Sequence, residues 1–197
     1  MKNLTLILLT LFGFSLAAQP RGKAKMSPVL TPGYYINIKN DTVRGKVQIN
    51  PEDKMDFYKE FAFKLPRDKK PKVYTAQKIK AYGFDGRDFV MIDDDGKKIF
   101  AERLVTGRLR FYEYQYNGKV NGYPGIESTY FVKDTAADEP DLKETKKIAT
   151  TYYKRSLKPY LKDQAMLWSD LDKFTFDKNT VVKTLAEFNR FYASVAN

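Results

Sequence analysis

The sequence predicts an α+β domain: a mainly antiparallel β-sheet or partly closed barrel of about seven or eight strands, followed by C-terminal helices. Three observations predict it. Short runs of alternating apolar and polar residues, separated by turn-forming clusters, fill residues 33–133. The composition turns acidic and polar at Asp134. From Lys146 onward, apolar residues recur with roughly the 3.6-residue period of a helix.

The chain opens Met1-Lys2-Asn3, continues with an apolar run from Leu4 to Phe14, and then reads Ser15-Leu16-Ala17-Ala18-Gln19. A positive start, a short apolar core and small residues at its end are the parts of a secretory signal. Residues 1–18 are therefore read as a signal peptide cleaved after Ala17 or Ala18. The apolar stretch falls short of the ~20 residues that span a bilayer. No later stretch is long and apolar enough, so no transmembrane segment is expected after cleavage. Residues 19–32 hold Pro20, Arg21, Lys23, Lys25, Pro28 and Pro32, and read as a flexible lead-in.

The ordered part is expected to begin at Gly33. Tyr34-Tyr35-Ile36-Asn37-Ile38 and Thr42–Ile49 form a hairpin about the turn Lys39-Asn40-Asp41. Val43, Val47 and Ile49 take one face of the second strand, and Arg44, Lys46 and Gln48 the other. Gly45 occupies an inward position, which predicts a bulge or a close approach. Phe57–Lys64 is a third strand, followed by the basic loop Pro66–Lys72. Lys72–Thr75 is extended. Thr75–Lys80 is expected to make one helical turn, with Thr75 as its cap. Ala81–Phe84 returns to strand. Asp88–Ile92 and Lys97–Ala101 pair about Asp93-Asp94-Asp95-Gly96. Leu104–Tyr116 is the clearest strand. Asn117-Gly118 reads as its turn, and Ser128–Lys133 as the last strand.

The second part, residues 134–197, is expected to pack on the same domain. Asp134–Glu144 is an acidic loop. Tyr153, Leu157, Tyr160 and Leu161 mark a helix that Pro159 would kink. Gln164–Leu171 continues the helical pattern. Asn179-Thr180 is expected to cap a final helix whose apolar face is Val181, Val182, Leu185, Phe188, Phe191 and Tyr192.

Composition excludes much chemistry. The chain has no histidine and no cysteine. Serine–histidine and cysteine–histidine nucleophile systems are out, as are zinc held by these residues and haem held by them. Neither disulfides nor a lipidated cysteine can hold the exported domain. No phosphate-binding glycine motif occurs. No catalytic residue, cofactor or metal is assigned. The net charge is +11, and removing Lys2 with the signal leaves +10.

Three features are candidate sites. Asp93, Asp95, Gly96 and Glu102 fall at loop positions three, five, six and twelve of a calcium-binding helix–loop–helix motif. Met91 would occupy position one and cannot ligate calcium, so the segment reads as a charged hairpin turn. The basic clusters are the second feature. Lys64, Arg67, Lys69, Lys70 and Lys72 share one loop, and Lys146, Lys147, Lys154, Arg155, Lys158 and Lys162 lie on the tail. Arg44, Lys46, Arg108 and Arg110 are expected to share an outward sheet face. Such clusters suit anionic glycans, lipopolysaccharide phosphates or an acidic protein, and equally an ordinary solvated surface. Nucleic acid is not expected outside the cell. The third feature is the stripe Tyr112, Tyr114 and Tyr116, with Tyr123 and Tyr130. Tyrosine and arginine favour binding surfaces. The same pattern fits a sheet face buried under the C-terminal helices, and alternation alone leaves both open.

Gly33-Tyr34-Tyr35-Ile36 followed by Asn40-Asp41-Thr42-Val43-Arg44-Gly45-Lys46-Val47 resembles the "GYI…GDT..G.I" opening of a family of exported Bacteroidota proteins. Tyr74–Tyr82 is similar to that family's strand–short helix–strand segment, and Val105–Tyr112 to its "v.G.v.LY.y" strand. Leu157–Leu171 and the helix ending Phe188-Asn189-Arg190-Phe191-Tyr192 resemble its helical tail. A cysteine that several relatives carry near Gln164 or Ala165 is absent here. The resemblance implies export into a Bacteroidota envelope, to the periplasm, the outer membrane or beyond, and implies no activity.

The leading functional reading is thus a non-enzymatic binding or accessory protein of the cell envelope, with an envelope protein or anionic glycan as partner. The binding residues it singles out are Arg67, Lys69, Lys70, Lys72, Arg108, Arg110, Tyr112, Tyr114 and Tyr116. The alternatives are a polyanion- or glycan-binding module, or a carboxylate-dependent enzyme acting on envelope polysaccharide. Such an enzyme requires two carboxylates facing each other across a cleft, roughly 5–10 Å apart.

Overall fold

A computed structural model describes residues 27–50, 55–120, 122–137, 144–162, 164–172 and 175–195. The segment read as a signal peptide, the expected lead-in as far as residue 26 and most of the expected acidic loop lie outside the described residues.

The fold is an antiparallel half-barrel of ten strands followed by helices. The strands are β1 (Val29–Asn37), β2 (Thr42–Ile49), β3 (Glu60–Lys64), β4 (Lys72–Thr75), β5 (Ile79–Phe84), β6 (Arg87–Asp94), β7 (Lys97–Val105), β8 (Leu109–Val120), β9 (Tyr123–Asp134) and β10 (Lys146–Ile148). The helices are α1 (Tyr153–Leu161), α2 (Ala165–Asp172) and α3 (Lys178–Val195).

Several expectations are corrected. Ten strands replace seven or eight. The first begins at Val29, inside the expected lead-in, because Val29–Pro32 pairs with Lys46–Ile49. Phe57 and Tyr58 belong to a 3₁₀ turn, Asp56–Tyr58, before β3. Ala76–Lys78 is a turn rather than a helical one. Asn117 and Gly118 are paired with Ile126 and Gly125, so the hairpin runs on to Gly122. Lys146–Ile148 is an edge strand on β9, not the start of a helix. Asp177, not Asn179, caps α3: its carboxylate accepts from the Thr180 amide at 2.8 Å and hydroxyl at 2.7 Å. Phe191 stands half-exposed, although Val181, Leu185 and Phe188 are buried as their spacing predicts.

The strand order is β10-β9-β8-β7-β6-β5-β1-β2-β3-β4. Only Ala76–Lys78 link β4 to β5, yet β1, β2 and β3 lie between them in the sheet. A flat sheet would separate these strands by roughly 19 Å, at ~4.8 Å per spacing. The link reaches ~14 Å at most. The sheet must therefore curl, and β1–β5 wrap an aromatic interior. Phe61, Phe63, Tyr82, Phe84, Phe89 and Phe100 fill it, all buried.

A second core lies on the opposite face of β7–β10, where the helices pack. Leu109, Phe111 and Val132 meet Leu157, Leu161, Leu185 and Phe188 there. Strand β8 is thus covered on both sides. Leu109 and Phe111 face the helices, and Tyr112 and Tyr114 face the barrel interior.

Candidate functional site: the outer face of the barrel

Alternation in β1–β3 sends Tyr35, Val43, Val47 and Phe63 inward and their neighbours outward. Register then builds rows on the outer face. Arg44 stands opposite Tyr34, and Lys46 stands opposite both Pro32 and Lys64. Gly45 is an inward position without a side chain, and its register is continuous, so it is no bulge. A Cβ there would lie 2.6 Å from the Phe63 ring. The glycine lets that ring pack against the β2 backbone.

Over this face lies a depression of about 470 Å³ lined by Leu30, Arg44, Gly45, Lys46, Lys64, Leu65 and Pro66. Its volume is that of a small-molecule site, typically ~300–1,000 Å³. A neighbouring depression of about 450 Å³ shares Arg44 and Gly45 and reaches Tyr34, Asp85, Arg87 and Asp88. The two depressions differ in charge: three cations and no carboxylate line the first, whereas Asp85 and Asp88 balance Arg44 and Arg87 in the second.

Tyr34 orders the second depression. Its hydroxyl donates to Asp88 on β6, across β5. Gly83, its partner on β5, makes room: a Cβ there would lie 2.7 Å from the Tyr34 ring and 2.6 Å from the Asp88 carboxylate. Burial, helped by the bond to Asp88 and its charge, pushes the Tyr34 phenol up to about 12. Tyr34 is therefore a neutral donor at physiological pH.

The basic end is not neutralised. Arg44, Lys46, Lys64, Arg67, Lys69 and Lys70 have no ion-pair partner among the described residues. Asp68, the acid of that loop, is taken by Lys72 at 3.2 Å and by the Leu65 amide at 3.4 Å. Lys46 and Lys64 are direct cross-strand partners. Like charges in that position cost stability.

The other sites named from sequence are placed elsewhere. Arg67, Lys69, Lys70 and Lys72 are exposed on the loop that leaves the depression at Pro66. Arg108 does not share the outer face of Arg44 and Lys46. It is bound to the buried Asp134 at 3.0–3.1 Å and lies over the Tyr192 ring, 4.3 Å from its centre. Arg110 is half-buried. Tyr112 and Tyr114 are buried in the barrel core, and Tyr116 donates to Glu127 at 2.9 Å. Tyr112 and Tyr114 thus form a second buried face covered by the curl of the sheet, whereas Tyr130 packs in the helix-covered core against Phe111 and Phe176. Tyr123, at the β8–β9 hairpin end, is 76% exposed, so the five tyrosines form no single surface. Of the tail cations, Lys147 pairs with Asp94 at 3.1 Å and Lys146 with Glu144 at 3.2 Å.

Asp93–Gly96 is a two-residue hairpin turn, with Asp95 and Gly96 both at positive φ and the Gly96 amide bonded to Asp93 at 2.7 Å. Among the described residues no three acidic side chains cluster as a metal site. No helix of the described residues is long and apolar enough to cross a membrane.

Two carboxylate pairs bear on the enzyme alternative: Asp85 and Asp88 share the second depression, where Asp88 accepts from Tyr34, and Glu102 and Glu113 are register partners on β7 and β8. Arg87 grips Glu102 with two bonds, at 2.6 and 2.8 Å, and the Tyr58 hydroxyl adds a third at 3.2 Å. Glu113 is 3% exposed and is held by Lys178 at 3.1 Å, Ser128 at 2.8 Å and Tyr130 at 3.1 Å. Burial works to raise the Glu113 pKa, but hydrogen bonds from Gln115, Ser128 and Lys178 outweigh it and the net shift is downward. A general acid needs the opposite shift. Neither glutamate lines the two depressions. Both act as clamps: Glu102 ties Arg87 and Tyr58 to the barrel, and Glu113 ties the start of α3 to the sheet.

Comparison with protein-family models, with curated proteins and with solved structures gave no match.

Proposed function

We propose that this chain is an exported, non-enzymatic binding or accessory protein of a bacterial cell envelope that holds an anionic envelope component on the basic outer face of its barrel. The observation that carries the reading is the Lys46–Lys64 pair. The two lysines are register partners on adjacent strands, flanked by Arg44, and none of the three has an ion-pair partner among the described residues. A face selected for stability alone avoids that arrangement, and a bound anion relieves it. Loop residues Arg67, Lys69 and Lys70 extend the same positive field outward. The leader-like pattern of residues 1–18 supports placement in the periplasm or at the outer membrane.

The test is mild crosslinking of the tagged mature protein in its native envelope, with crosslinked peptides mapped by mass spectrometry. Crosslinks from Lys46, Lys64, Lys69 or Lys70 to an envelope component support the reading. Crosslinks confined to the helical tail would place the working surface elsewhere and defeat it.

A further inference from the structure

The depression between β1, β2 and the start of the basic loop is not a purely ionic surface. It is lined by Leu30, Gly45, Leu65 and Pro66 as well as by Arg44, Lys46 and Lys64, whose long side chains carry apolar stems. Leu30 is 37% exposed, so a large apolar side chain meets solvent at its rim. A site for a polyanion alone needs charges on an open, polar surface. Here three unpaired cations stand around an apolar trough large enough for a small molecule. The neighbouring depression carries Asp85 and Asp88 against Arg44 and Arg87 and so has no such excess of positive charge, which leaves the lysine end as the place for an anionic head.

From this we infer that the depression binds an anionic amphiphile, a molecule with a phosphate or carboxylate head and an aliphatic chain. The head sits among Arg44, Lys46 and Lys64, and the chain lies over Leu30, Leu65 and Pro66. This rests on the anion-binding reading of the outer face and adds to it the apolar half of the ligand. Such amphiphiles come either from a membrane lipid or from a free acyl compound, and the two share this chemistry.

The experiment is calorimetric titration of the mature protein with octyl, decyl and dodecyl phosphate below their micelle-forming concentrations. Inorganic phosphate and dodecyl maltoside are the references. The expected result is dodecyl phosphate binding at least tenfold tighter than inorganic phosphate. Affinity rises with chain length by up to about fourfold per methylene until the trough is filled. Lys46→Glu with Lys64→Glu weakens dodecyl phosphate at least tenfold, and Leu30→Asn removes most of the chain-length dependence. The length series uses unaltered protein, so it holds whether or not a variant folds.

Equal affinity for dodecyl and inorganic phosphate overturns the amphiphile and leaves the anion-binding face intact. Dodecyl maltoside binding as tightly as dodecyl phosphate overturns the role of the cations. No binding of any probe overturns the site. Sedimentation with phosphatidylglycerol vesicles, against phosphatidylcholine vesicles, separates the sources. Capture on the anionic vesicles marks a membrane lipid, and binding of monomeric alkyl phosphate alone marks a free acyl compound. Either outcome supports the proposal.

Discussion

Phe61 on β3 and Tyr82 on β5 stack face to face across the barrel interior, with ring centres 3.9 Å apart and planes within 6° of parallel. Two strands, β1 and β2, separate them in the sheet. The stack is possible only because the sheet curls, and it closes over the three-residue link between β4 and β5. Tyr82 also donates its buried hydroxyl to the Phe57 carbonyl, which ties the 3₁₀ turn to the same stack.

Phe61→Ala should therefore destabilise the domain by about 3–5 kcal/mol, the usual cost of emptying a phenylalanine site in a packed core. Urea unfolding followed by tryptophan and tyrosine fluorescence measures it. A loss below about 1 kcal/mol would mean that the stack does not hold the curl.

The Glu113–Lys178 pair joins the sheet to the first residue of α3. Lys178→Met leaves a buried carboxylate without its cation and should cost about 1–3 kcal/mol, less than for a fully buried pair because Lys178 is over a third exposed. The pH dependence has a definite sign. The folded-state pKa of Glu113 is depressed, so its contribution is present above the unfolded carboxylate pKa and is lost as pH falls through the folded value. Wild type should lose more stability than Glu113→Gln between about pH 5 and pH 3. Parallel acid profiles would remove the pair from the account.

Tyr34 and Tyr130 are each pushed up to about 12, chiefly by burial, with the charges of Asp88 and Glu113 adding to it. Burial raises Tyr58 and Tyr82 as well. A folded pKa above the unfolded value near 10 gives stability that is complete below about pH 10 and drains away as pH rises through the folded value. Alkaline unfolding should set in over that window, and Tyr34→Phe should show a shallower fall there. Thermal unfolding at a series of alkaline pH values reads the difference.

Asn189 on α3 behaves like a strand partner. Its amide nitrogen donates to the Leu109 carbonyl at 2.7 Å, and its oxygen accepts from the Leu109 amide at 2.8 Å. Asn189→Ala should cost about 2–3 kcal/mol, since two backbone groups lose their partner. Amide hydrogen exchange should quicken first at Leu109. Unchanged protection there would show that Asn189 is dispensable.

Much of the fold was legible because it rests on local patterns. The β1–β2 and β6–β7 hairpins carry turn residues between alternating runs, and α1 and α3 carry helical spacing. The rest depends on distant partners. Lys146–Ile148 is a strand only because β9 offers an edge, and three residues carry no period. Gly118 looked like a turn because glycine usually punctuates a chain. Here it makes room for Glu127, which bonds the Lys119 amide and Tyr116 from the facing strand. The tyrosine stripe was undecidable because β8 is packed on both faces. The cations of the candidate site were visible one by one. That Lys46 faces Lys64, beside Leu30 and Arg44, is a matter of register, which no single run of sequence displays.

The like-charge row carries its own signature. Lys64→Glu should raise stability by about 0.2–1 kcal/mol by converting a repulsive cross-strand pair into an attractive one. The same change should weaken anion binding. A variant that loses both stability and binding would point to a structural role for Lys64.

The most direct test of the anion-binding face is retention of the mature protein on an immobilised polyanion as a function of salt. Wild type, Lys46→Glu with Lys64→Glu, and the control Lys97→Glu with Lys183→Glu would be compared. All three chains carry defined charges, and the two variants differ from wild type by the same amount. The account requires the Lys46/Lys64 variant to elute at much lower salt and with a shallower salt dependence than the control. Equal elution of the two variants would mean that retention follows net charge alone, and would contradict a site on the outer face of the barrel.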